Sequence, residues 1–437
     1  MKKLLAILLG ALFVFSFAAS AFAIHAEIPS ETQAVIAKGA TQITIDGELR
    51  TRGWYEKNDI VSGKSVGTGS RAWYDERIRL SVDAKVSPNV QGYVQLESGS
   101  ARSDVYTWGN FNSHPATSIN YLQAWILYKG TGLFGFNSGL KIGHMPLALG
   151  ERQFFDHTRF GDDAIVFFMD PTKEMHIGLL TVKFAGDGNP TPAIPLGGIP
   201  AGALDGSKSK NTDDLDGYVG LMTYKLDAKN TIGINYTYLN LSAERFSHQD
   251  LGLHASGNIS GLGYKSELDI QFGKFGDAKF RGWAFLLGLD YKMDPATLRA
   301  SFAYGSGDDG KDASKIKTFV PYVSDVQNYT LVYEYQAATT AGAKGTGLAN
   351  TTYYNLGLDY KVSPEIKASV DGYIIRASKT ADGVSKDAGW ELDGKVAYAV
   401  AKNLTYQVDA GYFKTGKFYG EEKKGITVLR HMLTLSF

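Results

Sequence analysis

The chain of 437 residues contains no cysteine, which excludes disulfides, thiolate metal sites, iron–sulfur clusters and covalently attached c-type haem. It carries no excess charge of either sign, with 45 basic and 45 acidic residues. That balance argues against nucleic acid as a partner, since such partners call for a basic surface. After Ala23 no uninterrupted apolar run approaches the roughly 20 residues a spanning helix needs. The eight histidines include no H-E-x-x-H pair, and His114, His144, His157 and His176 read as structural or solvent-exposed. Asp308, Asp309 and Asp312 lack the spacing and final glutamate of an EF-hand and read as solvated loop acids. No metal and no cofactor is expected.

What the chain does have begins with a leader. Lys2 and Lys3 precede an uncharged, mostly apolar run to Ala19, and Ala21-Phe22-Ala23 is a small-x-small cleavage site. Residues 1–23 therefore read as a signal peptide. Its removal takes two lysines, leaving 43 basic and 45 acidic residues, a net of −2. Residues 24–40 form a polar lead-in, expected to be periplasmic, with a short helix around residues 30–38. From residue 41 to 437 the hydrophobic period is two, not 3.6. Ile78, Leu80, Val82 and Ala84 alternate with Arg77, Arg79, Ser81 and Asp83. Leu262, Tyr264, Leu268 and Ile270 alternate with Lys265, Glu267, Asp269 and Gln271. Charges recur in the middle of the polar face, which suits a water-filled lumen as well as a solvent-facing sheet.

An internal repeat sets the topology. Lys85-Val86-Ser87-Pro88, Lys225-Leu226-Asp227-Ala228, Lys292-Met293-Asp294-Pro295 and Lys361-Val362-Ser363-Pro364 are four versions of one turn. Proline presets the turn dihedral, and Ser or Asp bonds the backbone just beyond it. Between these turns lie longer Gly-rich polar stretches at residues 59–70, 100–118, 186–215, 305–350 and 414–424. Short turns alternating with long loops are the asymmetry of a transmembrane up-and-down antiparallel β-barrel. Eighteen strands are expected, with sixteen as the alternative. Residues 162–169 and 249–256 are the shortest of them, and residues 328–335 are a candidate extra strand. An even count puts both termini at the short-turn end, the periplasmic side.

The final stretch fits this reading. Leu429, Leu433, Leu435 and Phe437 fall on one face of an extended strand, with Arg430, Thr434 and Ser436 on the other. Pairing that strand with the first one removes an edge that would otherwise invite aggregation. Aromatic residues cluster near strand ends, as a membrane-interface girdle requires: Trp54, Tyr55, Trp73, Tyr74, Tyr304 and Tyr412 at the long-loop end, and Tyr224, Tyr291, Tyr360 and Tyr398 before the short turns.

Several stretches resemble the alginate-export family of outer-membrane porins. Residues 140–152, from Leu140 through Gly150-Glu151-Arg152, resemble that family's strand ending in a Gly-Arg and a following Gly-acid turn. Tyr264, Glu267, Gln271 and Gly273 resemble its spaced Tyr, Glu, Gln, Gly. Ser306-Gly307-Asp308 followed by Thr318-Phe319 resembles its Ser-Gly-Asp loop, and residues 350–373 resemble the next hairpin. His144 stands where the family pattern has arginine. The resemblance implies a monomeric barrel of about eighteen strands. It also implies that Leu433, Leu435 and Phe437 are the signal read by the barrel-assembly machinery.

Three function classes follow. The first is a passive outer-membrane channel for small hydrophilic solutes, anionic ones included, with export of an alginate-like polysaccharide as its variant. The second is an outer-membrane hydrolase, which needs a nucleophile, a base and an orienting acid brought together. The third is a sleeve for a periplasmic partner such as a cytochrome. A chain this long favours a pore, because about eight strands already fill their own interior. Outer-membrane lipid, the assembly machinery and small hydrophilic solutes are the expected partners. The lumen and selectivity candidates are Arg50, Arg52, Arg77, Arg79, Lys141, Arg152, Lys265, Glu267, Arg299 and Arg430. Arg50, Arg52, Arg77 and Arg79 lie on neighbouring strands and form either a basic ladder favouring anions or, with Asp46, Glu48 and Asp83, a self-compensating network. Selectivity would then come from lumen charge and from inward-folded loops, with residues 186–215 and 305–350 as the candidate constriction.

Overall fold

A computed structural model describes residues 34–38, 41–58, 69–99, 103–109, 117–131, 135–185, 215–241, 246–321, 323–324, 329–336, 347–420 and 424–437. Eighteen strands make one closed antiparallel wall. The first six are β1 (Thr41–Asn58), β2 (Gly69–Ser87), β3 (Val90–Gly99), β4 (Ser118–Gly130), β5 (Asn137–Met145) and β6 (Asp162–Asp170). Then come β7 (Met175–Ala185), β8 (Leu215–Lys225), β9 (Thr231–Leu241), β10 (Phe246–Ile259), β11 (Leu262–Phe275) and β12 (Trp283–Met293). The last are β13 (Ala296–Gly305), β14 (Thr351–Lys361), β15 (Ile366–Ala377), β16 (Asp387–Ala401), β17 (Leu404–Thr415) and β18 (Gly425–Ser436). Each pairs with its sequence neighbours, and β18 closes on β1 from Glu48↔Ser436 to Asn58↔Ile426. The barrel of eighteen strands expected from the sequence is the one observed, and the sixteen-strand alternative falls.

The turn chemistry explains the short connections. Asp227 Oδ1 accepts the amides of Lys229 and Asn230 at 2.7 and 3.0 Å. Ser363 Oγ accepts those of Glu365 and Ile366 at 3.2 and 3.1 Å. A side-chain acceptor that satisfies amides just past the turn lets the chain reverse within a few residues. All eight short turns lie at one end, together with the C-terminus.

Alternation decides which face is which. Leu49, Ile78, Leu80, Ile126, Leu356 and Ile374 point outward and are exposed, as are many similar residues on the other strands. A soluble protein rarely exposes a continuous apolar band of this kind, so the outer surface is suited to lipid. The opposite face of the same strands carries Glu48, Arg50, Arg77, Arg79, Glu267 and Arg299.

Three expectations need correction. Residues 34–38, expected within a short helix, form a strand that pairs with the start of β1, from Ala34↔Ile45 to Lys38↔Thr41. β18 leaves that part of the β1 edge uncovered, and the N-terminal segment fills it. Residues 328–335 are not an extra strand, because Tyr333–Gln336 is a short helix and the amides before it bond to a side chain of β16. Trp54 and Trp73 do not join an outer girdle. They stack on each other on the lumen side, with centroids 5.4 Å apart. Tyr55, Tyr74, Tyr412, Tyr224, Tyr291, Tyr360 and Tyr398 do face outward. The signal peptide and most of the lead-in lie outside the described residues.

The packed core lies inside the wall, towards the long-loop end. Phe154 and Phe155 from the loop between β5 and β6, and Phe319, Val320, Val332 and Tyr333 from the loop between β13 and β14, pack there. Their partners are Leu239 and Leu241 of β9, Phe246 of β10, Ile375 of β15, Phe413 of β17 and Val428 of β18. Near that end the strands are apolar on both faces, because one face meets lipid and the other meets folded-in loops.

Candidate functional site in the barrel lumen

Two loops enter the lumen and are held there by named side chains. In the loop joining β5 to β6, Gly150 and Arg152 take positive φ angles of 52° and 70°. The turn they make lays the Gln153 amide on Glu267 Oε2 of β11, at 3.3 Å. A Cβ on Gly150 would collide with the Glu267 carboxylate. Arg152 Nη1 lies 3.7 Å from Asp156. Lys265 reaches Glu151 at 3.8 Å. Burial pushes the Glu151 carboxyl up, opposed by Lys265 and Arg152. His144 Nδ1 and Nε2 lie 2.8 Å from Asp163 Oδ1 and from the Phe160 carbonyl, so the residue that departs from the family pattern pins the end of this loop.

The loop joining β13 to β14 crosses to the other side. Gln271 of β11 donates to and accepts from the backbone of Val320, at 2.8 Å each way. The amides of Val332 and Tyr333 donate to Glu391 Oε1 and Oε2 of β16, at 2.6 and 2.7 Å. Leu331 N donates to Asp393 Oδ2 at 3.0 Å. Tyr373 Oη donates to the Tyr329 carbonyl at 2.8 Å, and Tyr329 stacks on Tyr353 with centroids 4.5 Å apart. The two loops also pair with each other, Phe155–Asp156 running parallel to Val323–Ser324. The expectation that residues 305–350 fold inward therefore describes the observed loop, whereas residues 186–214 lie outside the described residues. The inward course of residues 146–161 was missed by sequence reasoning; its one signal was the Gly150-Glu151-Arg152 turn.

Arg50, Arg52, Arg77 and Arg79 of β1 and β2 come together on the lumen wall, each with a carboxylate. Arg52 Nε donates to Asp75 at 2.7 Å and Arg77 Nε to Glu48 at 2.8 Å. Arg79 Nε donates to Glu97 at 2.5 Å. Arg50 and Arg77 share Asp104, at 3.3 and 3.0 Å, with Arg159 at 2.7 Å on its other oxygen. Burial alone would raise the Asp104 carboxyl. Arg159, Arg77 and Arg50 outweigh it and hold the group well below the usual carboxylate range. Three partners of this network, Asp75, Glu97 and Asp104, were not among the sequence candidates.

The other candidates divide by position. Lys265, Arg299 and Arg430 line a lumen cavity of about 860 Å³, which reaches from the β8–β9 turn to Glu151 and Tyr329 in the inward loops. Arg299 forks between Asp359 and Asp371, with four contacts of 2.8 to 3.0 Å. Arg430 Nε donates to Asp409 at 2.7 Å, and its guanidinium lies 4.9 Å from the Trp54 ring centroid. Lys141 lies apart, over the Trp125 ring at 4.0 Å. Glu267 is buried beneath the first loop. Leu433, Leu435 and Phe437 face outward on the closing strand. Among the described residues no group of three or more His, Asp or Glu is arranged to hold a metal ion. Asp309 pairs instead with Lys317 and Lys379, and Asp312 with Lys315.

Several solved structures from Pseudomonas aeruginosa have a similar fold. The chain superposes on Pseudomonas aeruginosa OccK5 (OpdH) with a TM-score of 0.57 at 14% identity, covering 90% of this chain and 98% of that one. For OccK2 (OpdF) in complex with glucuronate the figures are 0.58 and 11%, covering 90% and 96%. For the outer membrane protein OprD they are 0.58 and 10%, covering 90% and 94%. At these identities the likeness is one of fold. No curated protein sequence matches the chain. The alginate-export family profile matches residues 208–427, half of the chain, and the chain belongs to the alginate-export family.

Proposed function

We propose that the protein is a passive channel of the bacterial outer membrane, exported by a cleaved signal peptide, that passes small hydrophilic solutes. The observation that carries this reading is the lumen itself. A closed wall with an apolar exterior surrounds a polar cavity of about 860 Å³, narrowed by two loops that pair with each other and are tied to β11 and β16. Lys265, Arg299 and Arg430 border the route, and the arginines of β1 and β2 form the wall beside it. The glucuronate held by OccK2, a barrel of similar fold, supports a small solute rather than a protein cargo. Family membership favours a second reading, export of an acidic polysaccharide. A polyanion calls for a continuous cationic track, and here each arginine of β1 and β2 already holds a carboxylate.

Planar-bilayer recording tests the channel: discrete, ohmic openings are expected, and a folded protein that gives none refutes it. Orientation is tested on intact cells. Cysteines placed at Asn89 and Glu365, in short turns, should resist an impermeant thiol reagent, while one at Val384, in the β15–β16 loop, should react. The wild-type chain has no cysteine to confuse the signal.

A further inference from the structure

Six cationic and six acidic side chains are among the residues that line the lumen cavity. Their arrangement is ordered. One transverse row of paired lumen positions runs Asp359, Ser369, Lys395, Asp409, Arg430 across β14 to β18, and continues to Trp54 on β1. Neighbouring strands lie about 4.8 Å apart, so the sign of the wall reverses within one or two strand widths. One step along the strands, Arg299 bridges Asp359 and Asp371 and repeats the alternation.

Alternation at this spacing has a definite consequence. Over roughly 8 Å, the screening length at physiological salt, the wall presents no net field, so it concentrates neither anions nor cations. A monovalent ion that approaches one group also meets that group's opposite neighbour. A solute carrying an ammonium and a carboxylate a few ångströms apart meets wall groups of both signs, where Asp409 is itself buried and held by Gln407 and Arg430. Arg430 offers such a solute the guanidinium edge that Asp409 leaves free, since only Nε and Nη2 contact that carboxylate. We propose that the Lys395–Asp409–Arg430 row is a recognition site for small zwitterionic solutes, the class of free amino acids and short peptides. The inference rests on the channel reading above and deepens it.

The test uses the full-length barrel in bilayers and in liposomes. Conductance establishes that a channel exists; its absence would sink the channel reading rather than the solute class. Given a channel, the reversal potential in a salt gradient should correspond to a cation-to-anion permeability ratio within about twofold of unity. In liposome swelling, threonine should enter faster than erythritol, a neutral solute on a frame of the same carbon count. Asp409→Asn should shift the reversal potential towards anions and Arg430→Gln towards cations, each with loss of the threonine advantage. Migration of the heat-resistant barrel on a gel reports folding. The exchange Asp409→Arg with Arg430→Asp keeps the net charge but sets a second cation directly opposite Lys395, so the alternation is broken and the advantage should be lost. A strong preference of the wild type for ions of one sign, or threonine entering no faster than erythritol, overturns the proposal. So does a threonine-to-erythritol ratio unchanged in both folded single variants.

Discussion

Replacing Glu391 should release the β13–β14 loop without unfolding the wall. This carboxylate is buried and accepts two backbone amides, Val332 N at 2.6 Å and Tyr333 N at 2.7 Å. Both amides open the short helix Tyr333–Gln336, where the first donors have no partner within the helix. A hydrogen bond to a charged acceptor is worth about 1.5–3 kcal/mol, so Glu391→Ala removes about 3–6 kcal/mol of loop docking. Glu391→Gln keeps one acceptor oxygen and should lose about half as much. At 1.4 kcal/mol per factor of ten, the undocked population rises by about a hundredfold to ten-thousandfold in the alanine variant. Asp393 still holds Leu331, so the loop stays tethered at that point. Single-channel conductance should rise in the order wild type, glutamine, alanine, and residues 329–336 should become open to protease in the same order. The backbone ladder is untouched, so all three should migrate as heat-resistant barrels. An alanine variant with wild-type conductance and a wild-type digestion pattern refutes the argument that this carboxylate is the loop's anchor.

The other loop should respond to Gly150→Ala, which adds a Cβ where the Glu267 carboxylate lies and at a φ of 52°; conductance should change with the barrel still folded, and an unchanged trace would place the loop elsewhere. Asp104 should anchor its loop down to unusual acidity. Its carboxyl is held below the ordinary range, so the stabilisation is fully present above the unfolded value of about 3.9 and is lost as pH falls through the lower folded value. Conductance should therefore hold one level from about pH 7 to about pH 4, whereas Asp104→Asn should lose that level at neutral pH. Deleting Phe437 removes the bonds Gly47 N→Phe437 O and Phe437 N→Gly47 O, of 2.8 and 3.0 Å, from the closing seam. The amount of barrel in the outer membrane should fall, and normal insertion would show that the terminal aromatic carries no assembly signal.

The wall was legible because it follows local rules. Period two, the Asp or Ser of the four repeated turns and the Phe437 strand are all written within a few consecutive residues. β10, expected at 249–256, runs from Phe246 to Ile259, so Phe246 and His248 belong to it. They are buried on the lumen face, under Phe154 and Phe280. The lumen was less legible because its contacts join distant segments. Gln153 meets Glu267 across 114 positions of sequence. The arginine network shows both cases. Arg77 and Glu48 lie on adjacent strands and were read as neighbours, whereas Asp104 arrives from a loop whose course no periodicity records. Lumen-facing Ile426 and Val428 on the closing strand could not be assigned for the same reason, since their partners come from the folded-in loops.

Wall and filter are held by different interactions, and this separation explains how little sequence the fold requires. Backbone hydrogen bonds run around the whole barrel, so no strand edge depends on a particular side chain. Outside, any apolar residue satisfies lipid. Inside, polar residues satisfy water or a loop. Barrels with 10 to 14% identity can therefore share the architecture over 90% of this chain. The loops have no such redundancy. One is fixed chiefly by Glu391, Asp393 and Gln271, the other by Glu267 and the Gly150 turn, and each anchor is a lumen side chain that the ladder does not use. Changes at these positions alter the passage while leaving the barrel intact, so selectivity can drift within the family faster than fold.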